Sequence, residues 1–140
     1  MEVQNEKCVM ILDEALPLGM AANTAAIMGI TLGRQLPGIV GPDVCDLSGT
    51  LHLGIIEFPV PILKASPEAL REIRQKLSGP EYQGLTVVDF SDLAQSCKTY
   101  AEFIAQMACT PENALEYFGL AICGGKKQVN KLTGSLPLLR

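Results

Sequence analysis

The chain has 140 residues, 48% of them hydrophobic, which suits one domain with a substantial core. Its formal net charge is -4, so the overall field repels nucleic-acid phosphates and no nucleic-acid partner is expected. The five cysteines are odd in number and include no C-x-x-C pair, which argues against a disulfide framework and a tetrahedral metal site. We therefore expect one domain over residues 1–140 in a reducing, cytoplasmic setting, with no metal and no cofactor.

The first predicted elements are a buried strand and a charge-free helix. Lys7 to Asp13 is a continuous apolar run, typical of a central strand covered on both faces. After the turn LPLG, residues 20–32 are nearly all apolar or small, which predicts a helix packed on several sides. The stretch from Ala15 to Gly33 approaches the length of a membrane span, but Pro17, three glycines and many alanines favour a helix buried within a protein. No membrane association is expected.

The middle of the chain predicts a loop, a strand and a capped helix. Residues 34–50 are rich in Gly, Pro and Asp, as in a long loop, and residues 51–58 follow as the second strand. Pro59 and Pro61 mark a sheet edge or a strand break, because neither can donate a backbone N–H. The segment SPEALREIRQKLSG, from Ser66, predicts a helix that begins at a serine N-cap and stops at its glycine.

The last third predicts two more strands with helices between and after them. Residues 85–90 predict a strand, whereas residues 91–97 fit no element clearly. An amphipathic helix follows, with Tyr100, Phe103, Ile104 and Met107 on one face. The remaining predictions are a short helix opened by Thr110 and ending near Gly119, a buried strand at 120–123 and a helix at 126–132.

This order of strands and helices predicts an α/β fold. Four strands with crossover helices favour a sandwich in which helices cover a mixed sheet, with one antiparallel strand expected at an edge.

Both ends of the chain resemble the type II peptidyl-tRNA hydrolases. In that family an apolar strand leads into D-L-x-M-x-x-G-K and an Ala-rich helix, and here Asp13, Leu16 and Gly19 keep the spacing. The tail LAICGGKKQVNKLTGSLPLL is similar to the closing strand, turn, helix and T-G-x-L-K-L-L ending of the family. The resemblance implies a three-layer α/β sandwich with a four-stranded mixed sheet, like that of the type II hydrolases.

Over nearly all 140 residues, the chain is also similar to domain-of-unknown-function family 2000. Members of that family carry the phrases L-P-x-G-x-A-A-N and L-T-G-S-L-P-L-L-R, both of which stand here. Neither phrase is a catalytic signature, so this resemblance implies kinship and no particular activity.

The departures from the hydrolase pattern fall on its catalytic residues. Met20 stands where the family has a lysine linked to catalysis, and Ile27 where it has a histidine. Thr24 stands at the position of the helix glutamine, although a one-residue slip would align Asn23 with it. Only Asp89 is a candidate for the family's catalytic aspartate. Replacing a cation with an apolar side chain removes the group that would hold a phosphate or orient a water, so peptidyl-tRNA hydrolysis is not expected.

The turn before the first helix is the predicted ligand-binding site, formed by Gly19, Met20, Asn23 and Thr24. A helix N-terminus offers free N–H groups to an anion or a carbonyl. The resemblance implies a site here as well, because the type II hydrolases use the same turn. The alternative for the two polar residues is structural, with Thr24 bonding back within the helix and Asn23 pairing with a loop.

Four residues are weak catalytic candidates: Asn23, Thr24, His52 and Asp89. His52 is the only histidine and thus the only obvious base near neutral pH, although a histidine on an apolar strand is more often structural. Asp13 and Asp89 each end a predicted strand, where α/β sheets place site residues, and loop capping is the simpler explanation for both.

Three functions remain open from the sequence. The first is a protein that has lost the hydrolase residues and binds a small ligand or a protein partner. The second is a hydrolase with a rebuilt active site at the first helix. The third is a structural protein that self-associates as a homo-oligomer, because the charge-poor first third must bury its apolar surface somewhere.

Overall fold

The computed structural model describes residues 5–140. The strands are β1 (Glu6–Asp13), β2 (Val44–Cys45), β3 (Leu51–His52), β4 (Ile62–Ala65), β5 (Thr86–Ser91) and β6 (Tyr117–Gly125). The helices are α1 (Leu18–Gln35), α2 (Pro67–Leu77), α3 (Asp92–Ser96), α4 (Tyr100–Ala108) and α5 (Lys126–Thr133). Single 3-10 turns lie at Pro37–Ile39, Pro80–Tyr82 and Glu112–Ala114.

Four of the strands form one mixed sheet in the order β4-β1-β6-β5. β4 runs parallel to β1, and β6 runs antiparallel to both β1 and β5. The prediction that the antiparallel strand lies at an edge is therefore wrong. The reason is burial: Leu120, Ala121, Ile122 and Cys123 of β6 are all fully buried, and consecutive buried residues require neighbours on both sides and both faces of the sheet.

Helices cover both faces of this sheet, which gives three layers. On one face, α2 and α5 pack over side chains that include Val9, Ile11 and Leu120. On the other face, α1 packs over alternate side chains of the same strands, among them Met10 and Leu12. The α/β fold with a four-stranded mixed sheet is thus as predicted. Among residues 5–140, none of the helices is long and apolar enough to cross a bilayer.

The second strand of the sheet lies after the two prolines and not before them. The predicted strand at 51–58 is wrong, because only Leu51–His52 is extended there, and it pairs with β2 in a separate two-stranded ribbon. β4 begins at Ile62, and the Pro61 carbonyl already accepts a bond of 3.0 Å from the Met10 N–H. A proline carbonyl can accept a hydrogen bond in the sheet, but proline has no backbone N–H to donate one. The strand therefore begins at Ile62, the first residue after the prolines that has an N–H.

Two other segments also differ from the prediction. The short helix expected between Thr110 and Gly119 is only one 3-10 turn, and β6 starts at Tyr117 because Tyr117 and Gly119 are buried in the sheet. The unassigned segment after β5 forms α3, whose N-cap is the Ser91 hydroxyl, accepting from the Ala94 N–H. The predicted cap of α2 is present, since the Ser66 hydroxyl accepts from the Ala69 N–H.

Candidate functional site

The first turn of α1 exposes Gly19 and leaves Met20 half-buried, and no side chain caps the helix. Thr24 is completely buried, and its hydroxyl donates to the Met20 carbonyl at 2.8 Å. Its methyl group packs against Gly119 of β6. Asn23 is exposed, and its amide donates to Gln95 of α3 at 3.3 Å. The two polar residues therefore point in different directions, and Thr24 packs α1 against the sheet.

His52 lies far from the sheet, on the two-stranded ribbon. Its Nε2 is 2.8 Å from Asp46 Oδ2, while Asp46 Oδ1 accepts from the N–H groups of Ser48 and Thr50. These hydrogen bonds, that of His52 foremost, hold the pKa of Asp46 below its usual value. Asp46 thus closes the turn between β2 and β3, and His52 stabilises that turn through its contact with Asp46.

Asp89 lies in β5 with its carboxylate on the α2 side of the sheet. Its Oδ2 accepts from Arg74 Nε at 3.1 Å. Asp89 therefore forms an ion pair with α2 and does not cap a loop. The four catalytic candidates are consequently not brought together. Asn23 and Thr24 belong to α1, His52 to the ribbon, and Asp89 to the opposite face of the sheet.

A cavity of about 520 Å3 opens instead at the carboxyl end of β1. Its walls come from the end of β1, one side of α2 and the residues at the start of β6; they are Asp13, Pro67, Glu68, Arg71, Glu72, Gln75, Glu116 and Tyr117. Asp13 is aligned with Ala65, the last residue of β4, so the Ser66 cap begins α2 directly beside it. Asp13 Oδ1 accepts from the Ala15 N–H at 2.9 Å, and this bond shapes the turn into α1.

Arg71 and Tyr117 form the inner wall of the cavity. The Arg71 guanidinium donates to the Leu115 carbonyl and lies over the Tyr117 ring, 5.9 Å from its centroid. The Tyr117 hydroxyl donates to Glu112 Oε2 at 2.8 Å, and Arg71 Nη1 is 3.5 Å from the same oxygen. Burial, followed by the bond to Glu112, raises the pKa of Tyr117 to about 12. The phenol therefore remains a neutral hydrogen-bond donor at physiological pH.

Charge characterises this cavity. Asp13, Glu68, Glu72 and Glu116 line it against one guanidinium, so its field is negative. The buried Arg71 Nη1 makes no hydrogen bond within residues 5–140, and its partner is the ion pair with Glu112. In the same range, no three His, Cys, Asp or Glu side chains lie close enough together to hold a metal ion. The arrangement suits an organic molecule with both an acceptor and a cationic group.

Asp13 was a candidate from the sequence, whereas Arg71, Tyr117 and Glu112 were not. One signal was available: Glu68, Arg71 and Gln75 recur at helical spacing and so place a polar stripe on one side of α2. Gly19, Met20, Asn23 and Thr24 do not line the cavity.

Comparison with known proteins places the chain in a class and then in a family. The layered arrangement of helices on a four-stranded mixed sheet defines it as an α/β protein. The family model described as "Protein of unknown function (DUF2000)" matches residues 6–140, so the chain belongs to that family.

One solved structure shares the fold over almost the whole chain. It is that of the protein of unknown function Atu0240 from Agrobacterium tumefaciens strain C58, which is 20% identical with a TM-score of 0.86. The match covers 96% of this chain and 97% of that one. None of the curated proteins matches.

Proposed function

We propose that this protein binds a small polar molecule in the cavity between Asp13 and Arg71. The observation that carries the proposal is a cavity of about 520 Å3 in which the Arg71 side chain lies among the carboxylates of Asp13, Glu68, Glu72 and Glu116. Ligand pockets commonly measure about 300–1,000 Å3 and place a few polar groups among fixed walls.

The lining defines the chemical class of the ligand. Arg71 takes a carboxylate or another acceptor, while the carboxylates of Asp13 and Glu68 take an ammonium group. Because the remaining charged residues of the wall are also acidic, a simple anion is disfavoured. The proposed ligand is therefore an amino acid or a related amine-bearing acid.

The location of the cavity supports binding at this end of the sheet. In α/β folds, ligands sit outside the carboxyl ends of parallel strands, and the cavity lies at the ends of β1 and β4. We further propose that the scaffold is related to that of the type II peptidyl-tRNA hydrolases and has lost their chemistry, since Met20 occupies the lysine position. A rebuilt hydrolase site is not supported, because its four candidate residues lie on three separate elements: Asn23, Thr24, His52 and Asp89.

Thermal unfolding in the presence of three probe sets tests the proposal: the common amino acids, simple alkyl amines and simple carboxylic acids. A ligand that binds only the folded state raises the midpoint in proportion to its saturation. We expect at least one amino acid or amine to raise it and the simple acids to have no effect. The increase should be lost in Arg71→Gln and kept in Lys76→Gln, a control on the same helix outside the cavity. Stabilisation by simple acids alone, or none by any probe, would argue against the proposal.

A further inference from the structure

Residues 40–57, here called the arm, form a ribbon that contributes nothing to the core beyond its base. The Val40–Ile56 bridge and the β2–β3 pair hold it together, and Gly41 N–H donates to the Ile55 carbonyl at 2.9 Å. No residue from Val40 to Ile55 is buried. Its exposed aliphatic side chains are Val40, Val44, Leu47, Leu51, Leu53 and Ile55. An ordered ribbon with this many exposed aliphatic groups is typical of an interaction surface.

A second apolar surface lies on the same face of the sheet, across α1 from the arm. It is a groove of about 430 Å3 whose apolar lining includes Ile27 of α1, Val88 and Phe90 of β5, and Phe103 of α4. No residue of α4 is buried, and Tyr100 and Ile104 are 74% and 59% exposed. The predicted apolar face of α4 therefore exists, but within residues 5–140 it is only partly covered, since Phe103 and Met107 are partly buried while Tyr100 and Ile104 are exposed.

The outer surface of α1 connects these two features. The chain has no charged residue from Ala15 to Gly33, although α1 forms an outer layer of the sandwich. Ala22, Ala26 and Ile30 lie one turn apart on its exposed side, and Ile30 is 76% exposed. Outer helices ordinarily carry charge on the solvent side, so this surface is also apolar without a partner.

We propose that a second copy of the chain covers this face and that each copy places its arm in the groove of the other. The arm leaves the sheet at the β4 edge, and the groove lies at the β5 edge, both on the α1 side. A two-fold axis parallel to α1, passing over Ile30, therefore brings arm and groove together twice. Such an isologous contact closes on itself as a dimer.

Area and charge both favour a second copy as the partner. The exposed large apolar side chains of the arm, α1 and α4 present on the order of 1,000 Å2, against roughly 800 Å2 per partner in a standard interface. The arm carries Asp43, Asp46 and Glu57 and no lysine or arginine, whereas Lys98 stands at the groove. The acidic arm and Lys98 at the groove are thus opposite in charge.

Light scattering after size exclusion, across low to high micromolar concentrations, tests the proposal. The full chain should have the mass of two chains, twice 15.0 kDa. Ile30→Glu and Leu53→Glu should each weaken the dimer at least about tenfold, because each buries a charge in an apolar contact. Leu138→Glu, an exposed apolar position at the β4 edge beside Leu63, is the control and should have no effect. A monomer at every concentration, or a dimer that neither variant weakens, overturns the proposal.

Cysteine cross-linking tests the placement of the arm separately. Cys45 is exposed on the arm and Cys97 lines the groove. A short bis-maleimide should join two chains in the wild type, and Cys45→Ser and Cys97→Ser should each abolish the product. Cys109→Ser, which removes another exposed thiol, should leave it intact. A product that depends on Cys109 and not on Cys45 would place the arm elsewhere and overturn this arrangement.

Discussion

The Arg71 guanidinium lies over the ring of Tyr117, 5.9 Å from its centroid, and both side chains meet Glu112. Helix α2, the 3-10 turn before β6 and β6 itself are thereby joined at one point beside Asp13. The phenol satisfies one oxygen of Glu112, and the guanidinium satisfies the Leu115 carbonyl. Arg71 Nη1 lies 3.5 Å from the same carboxylate, so these contacts fix the inner wall of the cavity at the end of β1.

Tyr117 should make folding stability fall at high pH. Its folded pKa of about 12 lies above the ordinary tyrosine value of 10.0, so the folded state holds the proton more tightly than the unfolded chain. Its contribution is fully present below pH 10 and is lost as the pH rises from 10 to 12. Urea unfolding at a series of pH values should show this loss, and Tyr117→Phe should show less of it. Equal losses in both proteins would assign the effect to other groups.

Gly119→Ala should destabilise the fold by about 1–3 kcal/mol, the usual cost of overpacking a core. An added Cβ would lie 2.9 Å from side-chain atoms of Leu12, Thr24 and Met28, so these buried side chains must shift to make room for it. Gly33→Ala is the matched control, because its Cβ meets nothing within 4 Å. In helix α1 that change should be neutral or stabilising by up to about 1 kcal/mol. Chemical denaturation measures both, and similar effects of the two changes would refute the close approach at Gly119.

Asp46→Ala should loosen the ribbon and leave the rest of the fold almost unchanged. Asp46 accepts the N–H groups of Ser48 and Thr50 and contacts His52, but the ribbon buries no side chain. Hydrogen exchange should therefore accelerate at Ser48 and Thr50 while β1 stays protected. In the wild type, the protection factors of these amides, which correct for slower intrinsic exchange in acid, should fall below the ordinary carboxyl range, because the lowered pKa of Asp46 makes its contribution present above that range and lost below it. Unchanged exchange in the variant would show that Asp46 does not hold the turn.

Peptidyl-tRNA should not be cleaved by this protein. Met20 offers no cation to orient a water or hold a phosphate, and Thr24 is buried with its hydroxyl bonded to the Met20 carbonyl. Release of the peptide should therefore not exceed that of a variant altered at Gly19 and Asn23. A clear excess in the wild type would mean that the first turn of α1 retains catalysis.

Local sequence signals predicted part of this fold and left its topology open. Ser66 and Pro67 specify the start of α2, and the apolar run from Lys7 to Asp13 specifies a central strand, because these signals act within a few residues. The position of β6 between β1 and β5 depends on pairings between distant segments, which no local pattern encodes. β4 was not predicted because a strand of four residues directly after a proline is too short to show a recognisable alternation of apolar and polar residues.

The residues of the candidate site could likewise be predicted only in part from the sequence. Asp13 was singled out because it ends a strand, but its relation to Arg71 and Tyr117 arises only when α2 and β6 pack on the same face of the sheet. Thr24 looked functional because a polar residue stands out among alanines. Its hydroxyl is satisfied within the helix, so burial and not ligand binding accounts for it.

Chemical-shift mapping of backbone amides with the amino acid that stabilises the protein most tests the central claim directly. If the cavity binds it, the largest changes should surround Asp13, Arg71 and Tyr117 and should vanish in Arg71→Gln. Changes centred on Gly19 and Asn23, or spread over the surface without saturation, would contradict a binding site at the end of β1.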